Sequence, residues 1–369
     1  MNIVFICGSL EPGKDGVGDY TRRLSGELIK EGHRVALISL YDKNTSGVVK
    51  EKQYTDDTAV ETLRISALCT SANRWSTARD FLKAVNPECI SLQFVPFAFH
   101  DRGLNFSLAK GLRSINNNYK WHIMFHELWV GMEKNAPFKM KLWGWAQKLL
   151  IKQLLIILKP AVIQTQINLY KTQLEILGYT SGLLPLFSNI PVVKHSDNQL
   201  QSVTKSTENL IFLIFGNIHY NSAIQDIADE ALEYANQNNF SVELRIIGRT
   251  GAEQDVWKNA WSGRGIKVTI LGEQPAHIIS EQMQQASIGI ATTPSHLIGK
   301  SGAVAAMLEH QLPVLNIARP WEPNIEISLE LPAGVINYRK GILGKMADMN
   351  LNSGYTLNDV SKMFINSLI

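Results

Sequence analysis

The sequence predicts an α/β protein built of two doubly wound domains in series. Three observations lead there. Short apolar strands alternate with helical stretches along the whole chain, the pattern of parallel sheets covered on both faces. In the second half each strand closes on a small or turn residue at its carboxyl end, where doubly wound sheets place ligands. The chain has 369 residues, which at roughly 150 per domain makes about two cores.

In order, residues 2–7 form a buried strand, followed by the glycine-rich segment 8–18 and a helix over 19–31 that Gly32 stops. The next strand is 34–40, and further buried strands are expected at 88–94, 121–125 and 161–164. A second series begins near residue 208, with strands at 210–215, 241–247, 266–271, 287–291 and 312–315. Between the series lies a polar stretch, 191–207, rich in Ser, Asn and Gln and expected to be a linker. The expected domains are therefore 1–190 and 208–350, with a C-terminal helix at about 355–369 packing back on the first. Two such sheets in series are expected to leave a ligand cleft between them.

Composition narrows the class. Apolar residues make up 45% and charged residues 19%, globular values that exclude disorder and coiled coil for the chain as a whole. Cys7, Cys69 and Cys89 are odd in number and lack C-x-x-C spacing, so neither a disulfide framework nor a structural zinc site is expected. A reducing, cytoplasmic location follows. The first apolar run is too short for a secretory leader. No strictly apolar run, 154–158 included, comes near the ~20 residues a membrane span needs. Residues 1–186 carry 23 basic and 16 acidic side chains, and the remainder 13 and 17. Only the first half is thus expected to face an anionic partner; a nucleic acid is not expected.

Four segments carry chemistry. In the first, Gly16 and Gly18 have the spacing of a dinucleotide fingerprint, but Thr21 stands where its third glycine belongs. Glycines there let a phosphate approach the backbone, and the helix N-terminus adds partial positive charge. Asp42, near the end of the second strand, matches a ribose-binding acid, which keeps a nicotinamide oxidoreductase open. Second, His126 ends a buried strand, where an imidazole can bind a hydroxyl or move a proton. Its neighbour Glu127 points the other way along an extended chain, so the two are not a dyad. Third, Gly299-Lys-Ser-Gly302 precedes a helix running to about 310. Lys300, Ser301 and the exposed N–H groups there make a competent diphosphate cradle. Glu309, two turns on, is either a ribose contact or a solvated residue. Fourth, residues 139–160 combine Trp143 and Trp145 with Lys139, Lys141, Lys148, Lys152 and Lys159. Such a helix suits an anionic membrane surface, or is core on one side and solvated on the other.

Taken together, Gly16-Val-Gly-Asp-Tyr-Thr21, Phe125-His-Glu127, Phe215-Gly216, Ile247-Gly248, Leu271-Gly272, Thr293-Pro-Ser295 and Leu312-Pro-Val-Leu315 resemble the GT-B glycosyltransferases of the retaining family 4 group. The resemblance covers nearly the whole chain and implies two Rossmann-like domains facing a central cleft. It implies that a nucleotide diphosphate sugar lies on the second domain. Gly16 and Gly18 would line the donor, His126 would sit near the transferring sugar, and Gly272 and Glu273 would flank the base. Two family glutamates would fall on Ile298 and Ala306 and are missing. The basic pair after Phe215-Gly216 is missing too, leaving Lys300 as the best replacement cation and Arg249 as the second. No metal and no cofactor is expected, since no Asp-x-Asp occurs.

The expected activity is transfer of a hexose, glucose from UDP-glucose as the base-rate choice, to a polysaccharide or lipid-linked acceptor at the inner face of the plasma membrane. A sugar-nucleotide epimerase of the same fold and a non-catalytic binding protein are the alternatives.

Overall fold

A computed structural model describes residues 1–115, 118–193, 209–346, 349, 351 and 354–369. The chain divides into two compact units. One comprises Met1–Pro185, Glu322–Glu326 and Leu357–Ile369, and the other Leu186–Trp321 and Ile327–Thr356. From residue 194 to 207 the expected linker lies outside the described residues.

The first unit runs β1 (Asn2–Cys7), α1 (Gly16–Lys30), β2 (Arg34–Asp42), β3 (Val48–Thr55), β4 (Thr58–Ser66), α2 (Ser71–Val85), β5 (Cys89–Phe94), α3 (Leu108–Ser114), β6 (Lys120–Phe125), α4 (Phe138–Leu158), β7 (Val162–Thr165), α5 (Asn168–Ile176) and β8 (Gly182–Leu183). The strand order is β3-β4-β2-β1-β5-β6-β7-β8, parallel except for the β3–β4 hairpin. That hairpin was not among the expected strands. Its turn places Asp56 and Asp57 at φ 44° and 63°, a left-handed conformation that Asp tolerates better than most residues. β1 and β5 are buried almost throughout. A C-terminal helix, Leu357–Leu368, lays Phe364 against Phe5 with ring centroids 5.3 Å apart.

Helix α1 starts at Gly16, three residues before the expected 19. The reason is Asp15, extended at the N-cap, whose carboxylate accepts the Gly18 N–H at 2.7 Å. Tyr20, Leu24 and Leu28 then recur every four residues on the buried face.

The second unit runs β9 (Asn209–Phe215), α6 (Ile224–Asn238), β10 (Ser241–Ile247), α7 (Glu253–Ser262), β11 (Lys267–Gly272), α8 (Ala276–Gln285), β12 (Ile288–Ala291), a 3₁₀ turn (Ser295–Lys300), α9 (Gly302–Glu309), β13 (Val314–Asn316), β14 (Val335–Asn337) and α10 (Leu343–Met346). Its sheet has the order β11-β10-β9-β12-β13-β14 and is parallel throughout. Apolar layers cover both faces. Phe212, Ile214, Trp257 and Trp261 lie in one, and Leu213, Met283, Met307 and Leu312 in the other. The switch in strand order falls between β9 and β12, so the loops after these strands are where a ligand is expected.

Candidate functional site

In the second unit the loops after β9, β12 and β13 gather positive charge. The His219 N–H donates to Thr292 Oγ1 at 2.8 Å, which ties the loop after β9 to the loop after β12. Burial holds the His219 imidazole below its ordinary pKa, and the positive charges of Lys300 and Arg319 push it the same way. The Arg319 guanidinium also lies over the Tyr220 ring at 5.5 Å. Ser301 caps α9, its Oγ accepting the Val304 N–H at 3.4 Å, and the first turn of α9 carries no acid. A Cβ at Gly302 would meet nothing within 4 Å, so the helix N-terminus is open to a group lying against it. Two cations, an imidazole and unpaired helix N–H groups therefore converge on one strand-end region, a competent seat for a polyanion.

Lys300, Ser301 and Gly302 were expected there; His219 and Arg319 were not. Arg319 follows the short strand β13, nineteen residues beyond Lys300, and belongs to no motif. Arg249 is engaged elsewhere: its guanidinium makes two 2.8 Å bonds to the Glu273 carboxylate, across the ends of β10 and β11. Gly272 ends β11 at φ 65°, and its carbonyl accepts the Gly248 N–H. Glu309 stands at the far end of α9, about 10 Å of helix rise from Gly302, and accepts the Ser188 N–H at 3.2 Å.

The corresponding end of the first sheet differs. The Gly18 N–H is taken by Asp15, and a Cβ at residue 18 would come within 2.6 Å of the Ser9 carbonyl oxygen, so Gly18 serves the packing of α1. Gly16 is exposed, with open space where a Cβ would stand. Asp19 accepts the Gly13 N–H at 3.0 Å and pairs with Arg22. Burial raises the Asp15 pKa against the opposing effect of the Gly18 and Val17 N–H groups, and Asp19 and Asp42 raise it further. The positive end of the α1 dipole, expected to serve a phosphate, is thus already occupied by a carboxylate.

Asp42 is not placed to bind a ribose. It is fully buried and accepts from Arg64 Nε at 2.8 Å, the Asn44 N–H at 2.9 Å, Ser9 Oγ at 3.1 Å, and the Leu10 N–H and Ser39 Oγ at 3.2 Å. Burial pushes its pKa up, but Arg64 and the two amides outweigh that and hold it below the usual carboxylate range. The nicotinamide reading loses its ribose acid, because these protein groups already use the carboxylate.

His126, 5% exposed, sits one residue past β6. Its Nε2 lies 2.8 Å from Gln93 Oε1 and its Nδ1 3.0 Å from Gln166 Nε2, and Tyr20 meets the ring edge-on at 5.0 Å. Both ring nitrogens are held by glutamines, a pairing that sequence reading missed. The signal was present: Ser91 and Gln93, His122 and His126, and Gln164 and Gln166 sit at even spacing in otherwise apolar strands.

On α4, Trp143 is not an outward anchor. Its Nε1 donates to the Arg102 carbonyl at 2.7 Å and its ring meets Phe97. The exposed apolar residues are Phe138, Leu142, Trp145, Leu149 and Ile156, which at 100° per residue fall within about 40° of one line. No described helix is long and apolar enough to cross a membrane.

No protein-family model matches the chain, and no curated protein matches it. Solved structures do. HepE from Anabaena, in complex with UDP and glucose, is 12% identical, with 100% of this chain and 99% of that one covered and a TM-score of 0.61. A glycosyltransferase from Rickettsia africae is 13% identical over 99% and 96%, with a TM-score of 0.59. UDP-GlcNAc 2-epimerase from Neisseria meningitidis, bound to UDP-GlcNAc, is 11% identical over 100% and 99%, with a TM-score of 0.54. The chain has the GT-B fold, two Rossmann-like domains with parallel sheets. Nucleotide-sugar glycosyltransferases and UDP-GlcNAc 2-epimerases share this fold.

Proposed function

We propose that the protein transfers a hexose from a nucleotide diphosphate sugar to a polysaccharide or lipid-linked saccharide. The observation that carries this reading is the cationic strand-end region of the second unit. Lys300, Arg319 and the N-terminus of α9 would hold the diphosphate and stabilise the charge that develops as it leaves. Ser301 and Gly302 would let it lie close to the backbone. Glu273 and Gly272 would flank the base, with Arg249 held by Glu273. In the first unit Gly16 would let a ligand approach the backbone, and His126, whose ring nitrogens are both held by glutamines, would act on sugar hydroxyls through them rather than directly. UDP and glucose are the first pair to try, since HepE was solved with both. The resemblance implies retention of anomeric configuration, which NMR of the product reads directly.

Thermal-shift screening against UDP, GDP, ADP and their sugars tests the reading. A ligand at ~100 times its dissociation constant adds ~2.7 kcal/mol of stability. No shift with any of them would remove the donor site. The fold shared with the Neisseria epimerase favours one rival, an epimerase, which would convert the sugar nucleotide with no acceptor present. NMR of donor incubated alone separates the two.

The acceptor would be met at the inner face of the plasma membrane, with α4 against anionic lipid. Two features support this: the apolar line on α4, and the ten basic residues against two acidic ones over 102–160. Co-sedimentation with anionic vesicles at low salt checks it; protein left in the supernatant would end this part of the reading.

A further inference from the structure

In the second unit the loops after β9, β12 and β13 are stitched together. The Ala223 N–H donates to the Ile317 carbonyl at 3.2 Å, and the Ile317 N–H donates to the Ala291 carbonyl at 2.8 Å. His219 is held on the same seam twice: its N–H donates to Thr292 Oγ1 at 2.8 Å, and its Nδ1 lies 3.3 Å from that oxygen. Lys300 ends the 3₁₀ turn that follows β12, and Arg319 lies over the ring of Tyr220, the residue after His219. The half-buried imidazole is thus fixed within the field of both cations, and among the described residues no group bonds its Nε2.

The hydrogen bonding accepts either charge state of the ring. A hydroxyl oxygen has two lone pairs, so Thr292 Oγ1 can take the main-chain N–H and a protonated Nδ1 together, whichever tautomer the neutral ring adopts. The surroundings decide between the two states. Burial disfavours the imidazolium, and Lys300, from the turn before α9, and Arg319, from the segment after β13, add to that. Among the described residues no carboxylate offsets them, and the neighbouring titratable side chain is Tyr220, whose ring meets Arg319. An anion seated against Lys300 and Arg319 cancels their repulsion and adds an attraction, which favours the charged ring. The coupling runs both ways: if the anion draws a proton onto His219, the proton tightens the anion by the same factor.

We propose that the diphosphate seat of the second unit is proton-linked: His219 takes up a proton as the nucleotide diphosphate sugar binds and becomes its third cation, with Nε2–H donating to a phosphate oxygen. This deepens the proposed function and rests on its donor reading. Without ligand the seat carries two fixed charges, Lys300 and Arg319, and the third arrives with the anion that needs it. A lysine or arginine at position 219 would instead repel the other two at all times.

The test uses the full chain, and its probe is whichever of UDP-glucose, GDP-mannose and ADP-glucose shifts the melting temperature. Both phosphates of a nucleotide sugar are diesters and stay ionised between about pH 5.5 and 8, so a proton taken up in that range goes to the protein. Calorimetry at about pH 6.5 in two buffers of unlike ionisation heat counts it: between about 0.3 and one proton should be taken up per ligand bound. Affinity should rise roughly tenfold as pH falls from about 8 to 5.5, the scale of one added charge-assisted bond. His219→Gln keeps a donor near the Nε2 position but cannot titrate, so its binding should show no uptake and a flat pH profile, which loss of a merely structural contact would not produce. His219→Arg is charged throughout and should bind at pH 8 about as tightly as the wild type does at pH 5.5. Wild-type binding without proton uptake, a count that needs no variant to fold, would overturn the proposal and leave the donor reading standing, as would uptake that persists in His219→Gln. No shift with any of the three nucleotide sugars would bring down both.

Discussion

The carboxyl ends of the two sheets look alike in sequence and differ in charge. Each has a glycine-rich loop running from a buried strand into a helix. At α1 the helix N-terminus is capped by Asp15, with Asp19 in the first turn, and the strand ends beside it carry a hydrogen-bonded row of Gln, Ser and His. At α9 the cap is the neutral Ser301, no acid stands in the first turn, and Lys300 and Arg319 act on His219. Glycine spacing reports where a backbone must turn or be approached. Which ligand is welcome is decided by what already occupies the helix dipole. By that criterion the proposed diphosphate seat is α9 rather than α1.

The strongest test of the neutral end is pH. Burial lowers the His122 pKa from about 6.5 to about 3, although its bond to Gln164 opposes this. The folded state thus binds fewer protons than the unfolded state, so this contribution is full above about pH 6.5 and is lost as pH falls toward 3. Wild-type stability should decline more steeply than that of His122→Gln between pH 6.5 and 4, by up to about 1.4 kcal/mol per pH unit. Urea midpoints at each pH measure it, and parallel slopes would mean that His122 is not held neutral by the fold.

At the cationic end, Lys300→Ala should weaken diphosphate binding about ten- to a hundredfold and leave nucleoside binding nearly unchanged. A charge-assisted bond to phosphate is worth roughly 1.5–3 kcal/mol. Equal diphosphate affinity in mutant and wild type would take Lys300 out of the site.

The cap of α1 sets a smaller effect. Asp15→Ala should cost about 0.5–2 kcal/mol of stability, the worth of a lost cap, without reducing diphosphate affinity. Asp15→Asn keeps the cap and removes a charge that burial and two neighbouring carboxylates disfavour, so it should be neutral or slightly stabilising at pH 7. A diphosphate affinity that falls in either variant would move the phosphate site to α1 and reverse the comparison. Smallest is the shift at His219: Lys300→Ala should move its titration upward toward an ordinary imidazole, as followed by histidine NMR. An unmoved titration would separate the two residues.

Much of the fold was legible in the sequence. Buried parallel strands announce themselves as apolar runs, and Gly32 and the strand-end glycines mark where elements stop. The β3–β4 hairpin was missed because β3 is an edge strand that alternates exposed and half-buried residues over Val48–Lys52, with no apolar run to mark it. The site was legible where chemistry is local, as in Lys300-Ser301-Gly302. It was not where charge converges from separate loops: His219, Lys300 and Arg319 meet only because β9, β12 and β13 are neighbours. Asp42 shows the opposite error. Its position at a strand end matched a ribose ligand, but Arg64, from a strand not anticipated, had already claimed it.

The central claim is that the second unit binds a diphosphate through the cationic end of its sheet. Calorimetric titration of the whole chain with UDP, GDP and ADP, each beside its own nucleoside, tests it most directly. One diphosphate should bind at least tenfold more tightly than its nucleoside, and Lys300→Ala should erase most of that difference. Nucleosides that bind as well as diphosphates, or an increment that survives Lys300→Ala intact, would contradict the account.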